Sequence, residues 1–312
     1  MLKRIKDFFA EMLYAPIGAL LLVFAIMLML SIFNLINTTL LFSSNTWMLP
    51  MIALAFLVPY FIFRAFRGGK KYLPAQHLET PKRYHIPIIL LSTGLILLGS
   101  MLIKILLIKG KYVEFPLYSA FFANRNGSVF NDIYLALAFC LIPPIFEGLI
   151  FRGVLLKEFY RRGFLCAVLC SSIFFSLLGF SFFELLPRFF LGIMLCIVIY
   201  ATESLAITIT MHIAYNLFAT FFEPTFISLK NISANTDLFI FITTIITLII
   251  GIFLFSHLSR LYRKYSHTKF EENFVKSTSI ERTFWHLVEL MLSIPAIACY
   301  VLFMIVTLIM YA

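Results

Sequence analysis

Long apolar segments separated by short polar ones run along the whole chain. A helix needs about 20 apolar residues to cross the hydrocarbon core of a bilayer. Nine segments are candidates for such helices, near residues 15–36, 47–65, 86–108, 133–156, 164–183, 187–201, 204–222, 237–257 and 284–311. The sixth and seventh are short and nearly continuous, so their boundaries are weakly marked. The pattern predicts an all-α, polytopic transmembrane helix bundle of about eight to nine spans.

Composition agrees with this interpretation. Of 312 residues, 62% are hydrophobic and only 13% are charged, and the mean hydropathy is +0.98. A water-soluble domain does not have this balance. The basic residues Lys3, Arg4 and Lys6 resemble the start of a signal peptide, but the apolar run 15–36 that follows is too long for one. We therefore expect this run to be the first transmembrane helix.

The distribution of basic residues predicts an orientation. Lys and Arg collect at 3–6, 64–83, 157–162 and 260–282, while the alternate segments hold only Lys109, Lys111, Arg125, Arg188 and Lys230. The positive-inside rule then places the N-terminus in the cytoplasm, and nine spans place the C-terminus outside. Lys104, near the end of the third span, is expected to snorkel to the interface. The net charge of +10 is interpreted as this bias plus attraction to anionic lipid, not as nucleic-acid binding.

Two polar connectors divide the chain. Segment 66–85 separates the N-terminal two-helix segment, 1–66, from a core membrane domain at 86–257. Segment 258–283 begins the last part, 258–312, which ends in one transmembrane helix. Because all the candidate chemistry lies between the two connectors, we expect 86–257 to be the functional unit.

No cofactor or metal site is predicted. The sequence has no HExxH motif, so a zinc protease is disfavoured. The cysteines all lie in apolar runs without metal-ligand spacing and are interpreted as packing residues: Cys140, Cys166, Cys170, Cys196 and Cys299.

Two charged residues occur inside the fourth span, where they are costly and therefore suggest a functional site. Glu147 follows Pro143 and Pro144, a pair that disrupts helical hydrogen bonding, often beside a cavity. Glu147 is a candidate general base, or a structural carboxylate paired with a cation. Arg152 is five residues later, roughly 140° away on an ideal α-helix. It is therefore expected to reach a neighbouring helix or the cytoplasmic interface.

A second polar pair lies in the seventh span. His212 and Asn216 are four residues apart and share one helix face. Their side chains can both donate hydrogen bonds to a developing oxyanion. The alternative is a polar pair that holds helices together.

The hairpin between the fourth and fifth spans relates Glu147 to residue 179. If the turn is centred on Gly163, Glu147 is 16 residues before it and Gly179 is 16 residues after it, so both lie at similar depth. Ser172, Ser176 and Gly179 lie near one face of the fifth span, where small residues allow close helix packing. A side chain at 179 could face Glu147, but glycine has none.

Together these motifs resemble the CPBP family of CAAX-protease and bacteriocin-processing membrane proteins, also called the Abi family. The resemblance covers about 130–222. Family members carry two adjacent Glu, three residues and Arg, then Phe-xxx-His, then His-xxx-Asn. The chain has Glu147…Arg152-Gly153, Phe175…Gly179 and His212…Asn216. Between the second and third motifs, Phe189-Phe190-Leu191-Gly192 resembles the family's entry to the next helix. The resemblance implies a CAAX-protease-like helical core.

Two positions depart from the family pattern. Gly148 replaces the second Glu, and Gly179 replaces the histidine of the second motif. The resemblance implies that Glu147 activates water and that His212 with Asn216 forms an oxyanion hole, but the partner that orients the water is missing. Ser176 and Glu184, the latter expected near the outer interface, are poor replacements.

Two functions therefore remain open. One is an intramembrane glutamic-type endopeptidase that cleaves peptides at or in the membrane, with Glu147, Arg152, His212 and Asn216 as its site. The other is a catalytically impaired pseudoprotease that binds a membrane peptide or protein and acts in regulation or bacteriocin immunity. A transporter is disfavoured because no inverted repeat is evident. The location predicted for either is the cytoplasmic membrane.

Overall fold

A computed structural model of the chain describes residues 16–39, 47–66, 83–107, 121–160, 162–225, 236–265 and 280–311. The basic N-terminal segment 3–6 and most of the connectors 66–85 and 258–283 lie outside these ranges. The described residues are overwhelmingly helical. The helices, in chain order, are α1 (Pro16–Thr39), α2 (Met48–Phe66), α3 (Ile86–Leu107), α4 (Val129–Tyr160), α5 (Phe164–Leu177), α6 (Phe182–Thr202), α7 (Leu205–Phe221), α8 (Thr236–Tyr265), α9 (Ile280–Met291) and α10 (Ile294–Tyr311).

The helical membrane bundle predicted from hydropathy is confirmed, although fewer helices than predicted are long enough to span. In the described ranges, six helices have the length and composition to cross a membrane, namely α1, α2, α3, α4, α6 and part of α8. The pair α9 and α10 is bent by 60° and adds a seventh if it counts as one span. Helices α5 and α7 are apolar but have only 14 and 17 residues. At 1.5 Å per residue they fall short of the roughly 30 Å hydrocarbon core.

Helix α4 changes its hydrogen-bonding pattern along its length. It is π-helical at Leu137–Leu141 and again at Gly148–Leu155, with a short α-helical stretch between them that begins beside Pro143 and Pro144. Proline has no backbone N–H and cannot continue the i→i−4 pattern. Insertions of this kind are frequent at functional sites. The expected disruption by the proline pair is therefore present, and it flanks Glu147 on both sides.

Small residues let α6 approach its neighbours closely. A β-carbon on Gly192 of α6 would lie 2.9 Å from Ser172 Cβ on α5, and one on Gly99 of α3 would lie 2.7 Å from Phe190 Cε1 on α6. The small-residue packing predicted for Ser172 is thus observed against Gly192. Gly179, by contrast, lies beyond the end of α5, which stops at Leu177 instead of continuing to 183.

The remaining helices enclose this centre. Helix α8 packs on α3, and α1 packs on α2 and α10. Much of α8 is exposed and apolar, as is expected of a lipid-facing surface. In the turn between α4 and α5, Arg162 Nη1 lies 2.5 Å from Glu289 Oε2 on α9.

All five cysteines are buried free thiols. The division of the chain at the two polar connectors stays a prediction.

Candidate functional site

Glu147 and His212 meet in the interior of the bundle. The Oε2 atom of Glu147 on α4 lies 3.5 Å from Nε2 of His212 on α7. Both side chains are buried, with 4% and 1% of their residue surfaces exposed. Two of the residues predicted from separate helices to belong to one site are therefore adjacent. A carboxylate and an imidazole at this distance can share a proton or both contact a group bound between them.

Arg152 lies on the Glu147 side of α4. The angle of roughly 140° between these two side chains, predicted for an ideal α-helix, is therefore wrong. Residues 148–155 are π-helical, and i→i+5 hydrogen bonding brings residues five apart onto nearly the same face. The Arg152 guanidinium stacks over Phe175 of α5, 4.3 Å from the ring centroid. It is 3% exposed, so it reaches a neighbouring helix and not the interface. Within the described chain, its three side-chain nitrogens have no hydrogen-bond partner.

Asn216 is engaged by the backbone of α4. Its Nδ2 donates a hydrogen bond to the carbonyl oxygen of Phe139, 3.2 Å away, in the first π-helical stretch. Its own backbone carbonyl accepts from Thr220 Oγ1 at 2.7 Å. Asn216 therefore joins α7 to α4 one turn beyond His212, as in the helix-joining interpretation of this pair. One carboxamide N–H is used in this contact, and a second N–H is left for another acceptor.

The space beside Gly179 is taken by Arg188, a residue that the sequence analysis had assigned to an outer segment. Arg188 lies inside α6, and a β-carbon on Gly179 would be 3.0 Å from its Cδ and 3.4 Å from its Nη1. Its Nη2 lies 3.8 Å from Glu147 Oε1, and its guanidinium is 5.4 Å from the Phe175 centroid. Arg188, from the next helix, therefore contacts both the space beside position 179 and the Glu147 carboxylate.

The space beside Gly148 is also filled. A β-carbon there would lie 2.6 Å from Cγ1 of Ile209 on α7, closer than side-chain carbons approach each other. A longer side chain at 148 therefore requires Ile209 to move. At both positions that depart from the family pattern, an added side chain would therefore press against a side chain of another helix.

A second buried charge cluster joins the end of α3, the start of α6 and the residues after α7. Lys104 Nζ lies 2.6 Å from Glu184 Oε1 and 2.9 Å from Glu223 Oε2, and all three residues are buried. The prediction that Lys104 snorkels is therefore wrong, whereas the position of Glu184 near the interface stays a prediction. Desolvation disfavours an isolated ammonium in this position, and two carboxylates from α6 and the end of α7 compensate for it.

In the described part of the chain, no three His, Cys, Asp or Glu side chains are grouped as they would be around a metal ion.

Comparison with known proteins relates these helices to a family. A model for the type II CAAX prenyl endopeptidase Rce1-like proteins matches residues 129–218, which run from the start of α4 into α7. The membrane-embedded CAAX protease MroQ of Staphylococcus aureus (strain USA300) is 26% identical over 157 residues, or 47% of this chain. Residues 129–218 of the chain thus resemble the CPBP family of CAAX proteases. The match spans 61% of the length of the MroQ protease, and no solved structure matches.

The sequence alone indicated some residues of the site and missed others. The matched residues include Glu147, Arg152, His212 and Asn216, whose catalytic or binding roles stay predictions. Arg188 was missed, although an arginine inside the apolar helix α6 is itself a sign of a buried contact. The pairing of Lys104 with Glu184 and Glu223 was also missed, because it joins residues up to 119 positions apart.

Proposed function

We propose that this CPBP-like protein is a catalytically silent relative of the CAAX proteases that binds a peptide segment of a membrane protein at the Glu147 site. One observation carries the proposal. Both positions at which the family's acidic and imidazole side chains are replaced, Gly148 and Gly179, are filled by Ile209 and Arg188. The replacements are therefore compensated by the packing of the bundle, as expected of a site that is maintained without its hydrolytic groups.

The charges around Glu147 support the same proposal. In the scheme implied by the family, a histidine opposite Glu147 orients the attacking water. Here Glu147 has the His212 imidazole of α7 at 3.5 Å, but on the side of position 179 it has the Arg188 guanidinium, 3.8 Å from Oε1. A guanidinium only donates hydrogen bonds and does not accept a proton near neutral pH, so it does not replace an imidazole as a base. It instead makes Glu147 part of a buried ion pair.

The geometry that remains suits binding. His212 and Asn216 keep donors on one face of α7, and the guanidinium groups of Arg152 and Arg188 lie 4.3 and 5.4 Å from the centroid of Phe175. Donors positioned for a developing oxyanion also bind a resting carbonyl or carboxylate. Retention of these groups without the water-orienting one favours recognition of a peptide over its cleavage.

Hydrolysis is the second candidate, and one contact favours it. Glu147 Oε2 and His212 Nε2 are 3.5 Å apart, so a base and an oxyanion donor are still adjacent. Loss of one acid–base group typically lowers the catalytic rate by about 10²–10⁴-fold, so slow turnover is compatible with this arrangement. In this case Glu147 acts as the base, and His212 with Asn216 stabilises the oxyanion.

Profiling of new protein termini in membranes distinguishes the two functions. Cells would carry the full chain, the chain with Glu147→Gln, or a control with Glu281→Gln, an exposed residue on α9. We expect no terminus that depends on Glu147. Termini present with the wild type and the control but absent with Glu147→Gln would establish hydrolysis and overturn the proposal.

A gain-of-function variant tests the structural argument directly. Gly179→His alone is expected to remain inactive, because Arg188 occupies the space next to position 179. Combining Gly179→His with Arg188→Ala opens that space, and measurable cleavage is expected only in the combination. Equal terminus formation by the wild type and the combined variant would contradict the assignment of Arg188 as the blocking group.

A further inference from the structure

The Glu147 centre holds two guanidinium groups and one carboxylate. Arg152 and Arg188 both stack over Phe175, at 4.3 and 5.4 Å from its centroid. Of the two, Arg188 is placed 3.8 Å from Glu147, a distance longer than a hydrogen bond. The second acidic position of the family motif is Gly148 in this chain. The centre is therefore short of one carboxylate relative to its guanidinium groups.

The nearest other carboxylates in the described chain do not supply this charge. Glu184 is one turn before Arg188 on α6, a spacing that would suit an intrahelical ion pair. Its Oε1 is instead 2.6 Å from Lys104 Nζ, which also contacts Glu223. Lys104 thereby contacts both carboxylates, and Arg188 forms its ion pair with Glu147 and not with Glu184.

Several donors in this centre are buried without an acceptor from the described residues. They include the three side-chain nitrogens of Arg152, Nη1 of Arg188 and both ring nitrogens of His212, one of which is a donor in the neutral ring. A buried donor without an acceptor is costly. The planar fork of a guanidinium matches the two oxygens of a carboxylate. Donors of this kind from three helices converge beside Phe175.

We propose that Arg188 and Arg152 bind a carboxylate of the partner peptide, either its C-terminus or an acidic side chain. This inference rests on the proposed function and names the chemical group that the site recognises. Arg188 is the accessible member, since 14% of its side chain is exposed, whereas Arg152 is enclosed. The ligand carboxylate supplies the negative charge that Gly148 does not provide.

A lipid phosphate is the less suitable anion. Glu147 is 13 residues before Tyr160, at which α4 ends, so it lies about 20 Å along the helix from that end. Headgroup phosphates lie outside the hydrocarbon core, which is about 30 Å thick. Because Glu147 is also enclosed between helices, with 4% of its surface exposed, a peptide inserted between the helices is the better source.

The test uses the full chain in nanodiscs of phosphatidylcholine and three acetylated Leu/Ala hexapeptides of matched sequence. One has a free C-terminal carboxylate, one a C-terminal amide, and one an amide with a penultimate Glu. We expect a carboxylate-bearing peptide to bind at least about tenfold more tightly than the plain amide, as expected for a buried charge contact. Comparison of the first and third peptides distinguishes the terminal from the side-chain source.

Variants make the assignment specific. Arg188→Gln should abolish the preference for a carboxylate, and Arg188→Lys, which keeps the charge without the fork, should reduce it. Arg125→Gln is the matched control, since Arg125 is an exposed arginine paired with Asp132, and it should keep the preference. If Arg188→Gln does not fold, the Arg188→Lys result decides.

Equal affinity for all three peptides, no binding of any, or an unchanged preference in both Arg188 variants would overturn the inference. So would loss of the preference when anionic phosphatidylglycerol replaces zwitterionic phosphatidylcholine, which would identify an anionic lipid headgroup as the ligand. Mass spectrometry of the recovered peptides separates this test from that of the proposed function. Cleaved peptide contradicts catalytic silence, whereas intact peptide bound without carboxylate preference contradicts only the present inference.

Discussion

Arg188 reaches from α6 past Gly179 and places its Nη2 atom 3.8 Å from Glu147 Oε1. A β-carbon on Gly179 would lie 3.0 Å from Arg188 Cδ. The missing side chain at 179 and the arginine at 188 are therefore parts of one packing arrangement. A histidine at 179 and an arginine in this rotamer at 188 compete for the same space. The consequences can be measured one contact at a time.

Gly179→Ala is expected to displace Arg188 and destabilise the protein by about 1 kcal/mol, at the lower end of overpacking costs. In an Arg188→Ala background, the same substitution should cost less than about 0.5 kcal/mol, because the added methyl then has space. Thermal unfolding in detergent of the four proteins in this cycle measures the difference. An equal cost in both backgrounds would show that Gly179 and Arg188 are not coupled.

Gly148→Ala is expected to destabilise the protein by about 1–3 kcal/mol, because the new β-carbon lies 2.6 Å from Ile209 Cγ1. Ile209→Ala removes that atom, so Gly148→Ala should cost little when added to Ile209→Ala. Gly94→Ala in α3 is the matched control, since its β-carbon would be 3.6 Å from the nearest atom, Ile250 Cδ1. The control should be neutral or slightly stabilising, as for alanine in a helix interior. Similar losses for Gly94→Ala and Gly148→Ala would contradict the packing argument.

Gly192→Ala should separate α5 from α6 and destabilise the bundle by about 1–3 kcal/mol. Its β-carbon would lie 2.9 Å from Ser172 Cβ and 3.0 Å from Ser172 Cα. Because the second atom is backbone, Ser172→Gly is expected to recover only part of the loss. Gly251→Ala in α8, whose β-carbon would be 4.0 Å from Leu95 Cδ1, is the control and should be tolerated. Full recovery by Ser172→Gly would mean that only side-chain contact limits this approach.

Lys104→Met leaves Glu184 and Glu223 buried together without their cation. Breaking a buried ion pair in this way costs about 3–5 kcal/mol, which should appear as poor accumulation and a lowered unfolding temperature. Adding Glu223→Gln removes one of the two unpaired charges and is expected to restore part of the stability. Lys157→Met, at an exposed position of α4, should change stability by less than about 1 kcal/mol. A Lys104→Met protein as stable as the wild type would show that the cluster is not a structural contact.

Much of the architecture followed from local sequence. Apolar segment length predicted a helical membrane bundle, and each predicted segment corresponds to a helix or a bent helix pair of the structure. The order of Glu147, His212 and Asn216 indicated the family, and Glu147 and His212 do meet. The proline pair at 143–144 marked the irregular part of α4. Each of these features depends on residue types within one helix.

Other features were missed or predicted wrongly for identifiable reasons. Two predicted spans correspond to helices shorter than a bilayer core: α5 ends at Leu177, before its apolar run ends, and α7 has 17 residues. The angle between Glu147 and Arg152 was calculated for an α-helix, whereas the residues between them are π-helical. Lys104 was assigned to the interface, because its partners Glu184 and Glu223 lie far away in the chain.

Residue composition and spacing were sufficient for the membrane setting, the helical class and the candidate residues of the site. Only the packing of the helices decided that Arg188 occupies the place beside Gly179, that Ile209 closes the place beside Gly148, and that Lys104 is held by two carboxylates. The physical reason is that hydropathy and helical periodicity are local properties. A buried charge, in contrast, is stabilised by whichever partner the approach of another helix brings within a few ångströms.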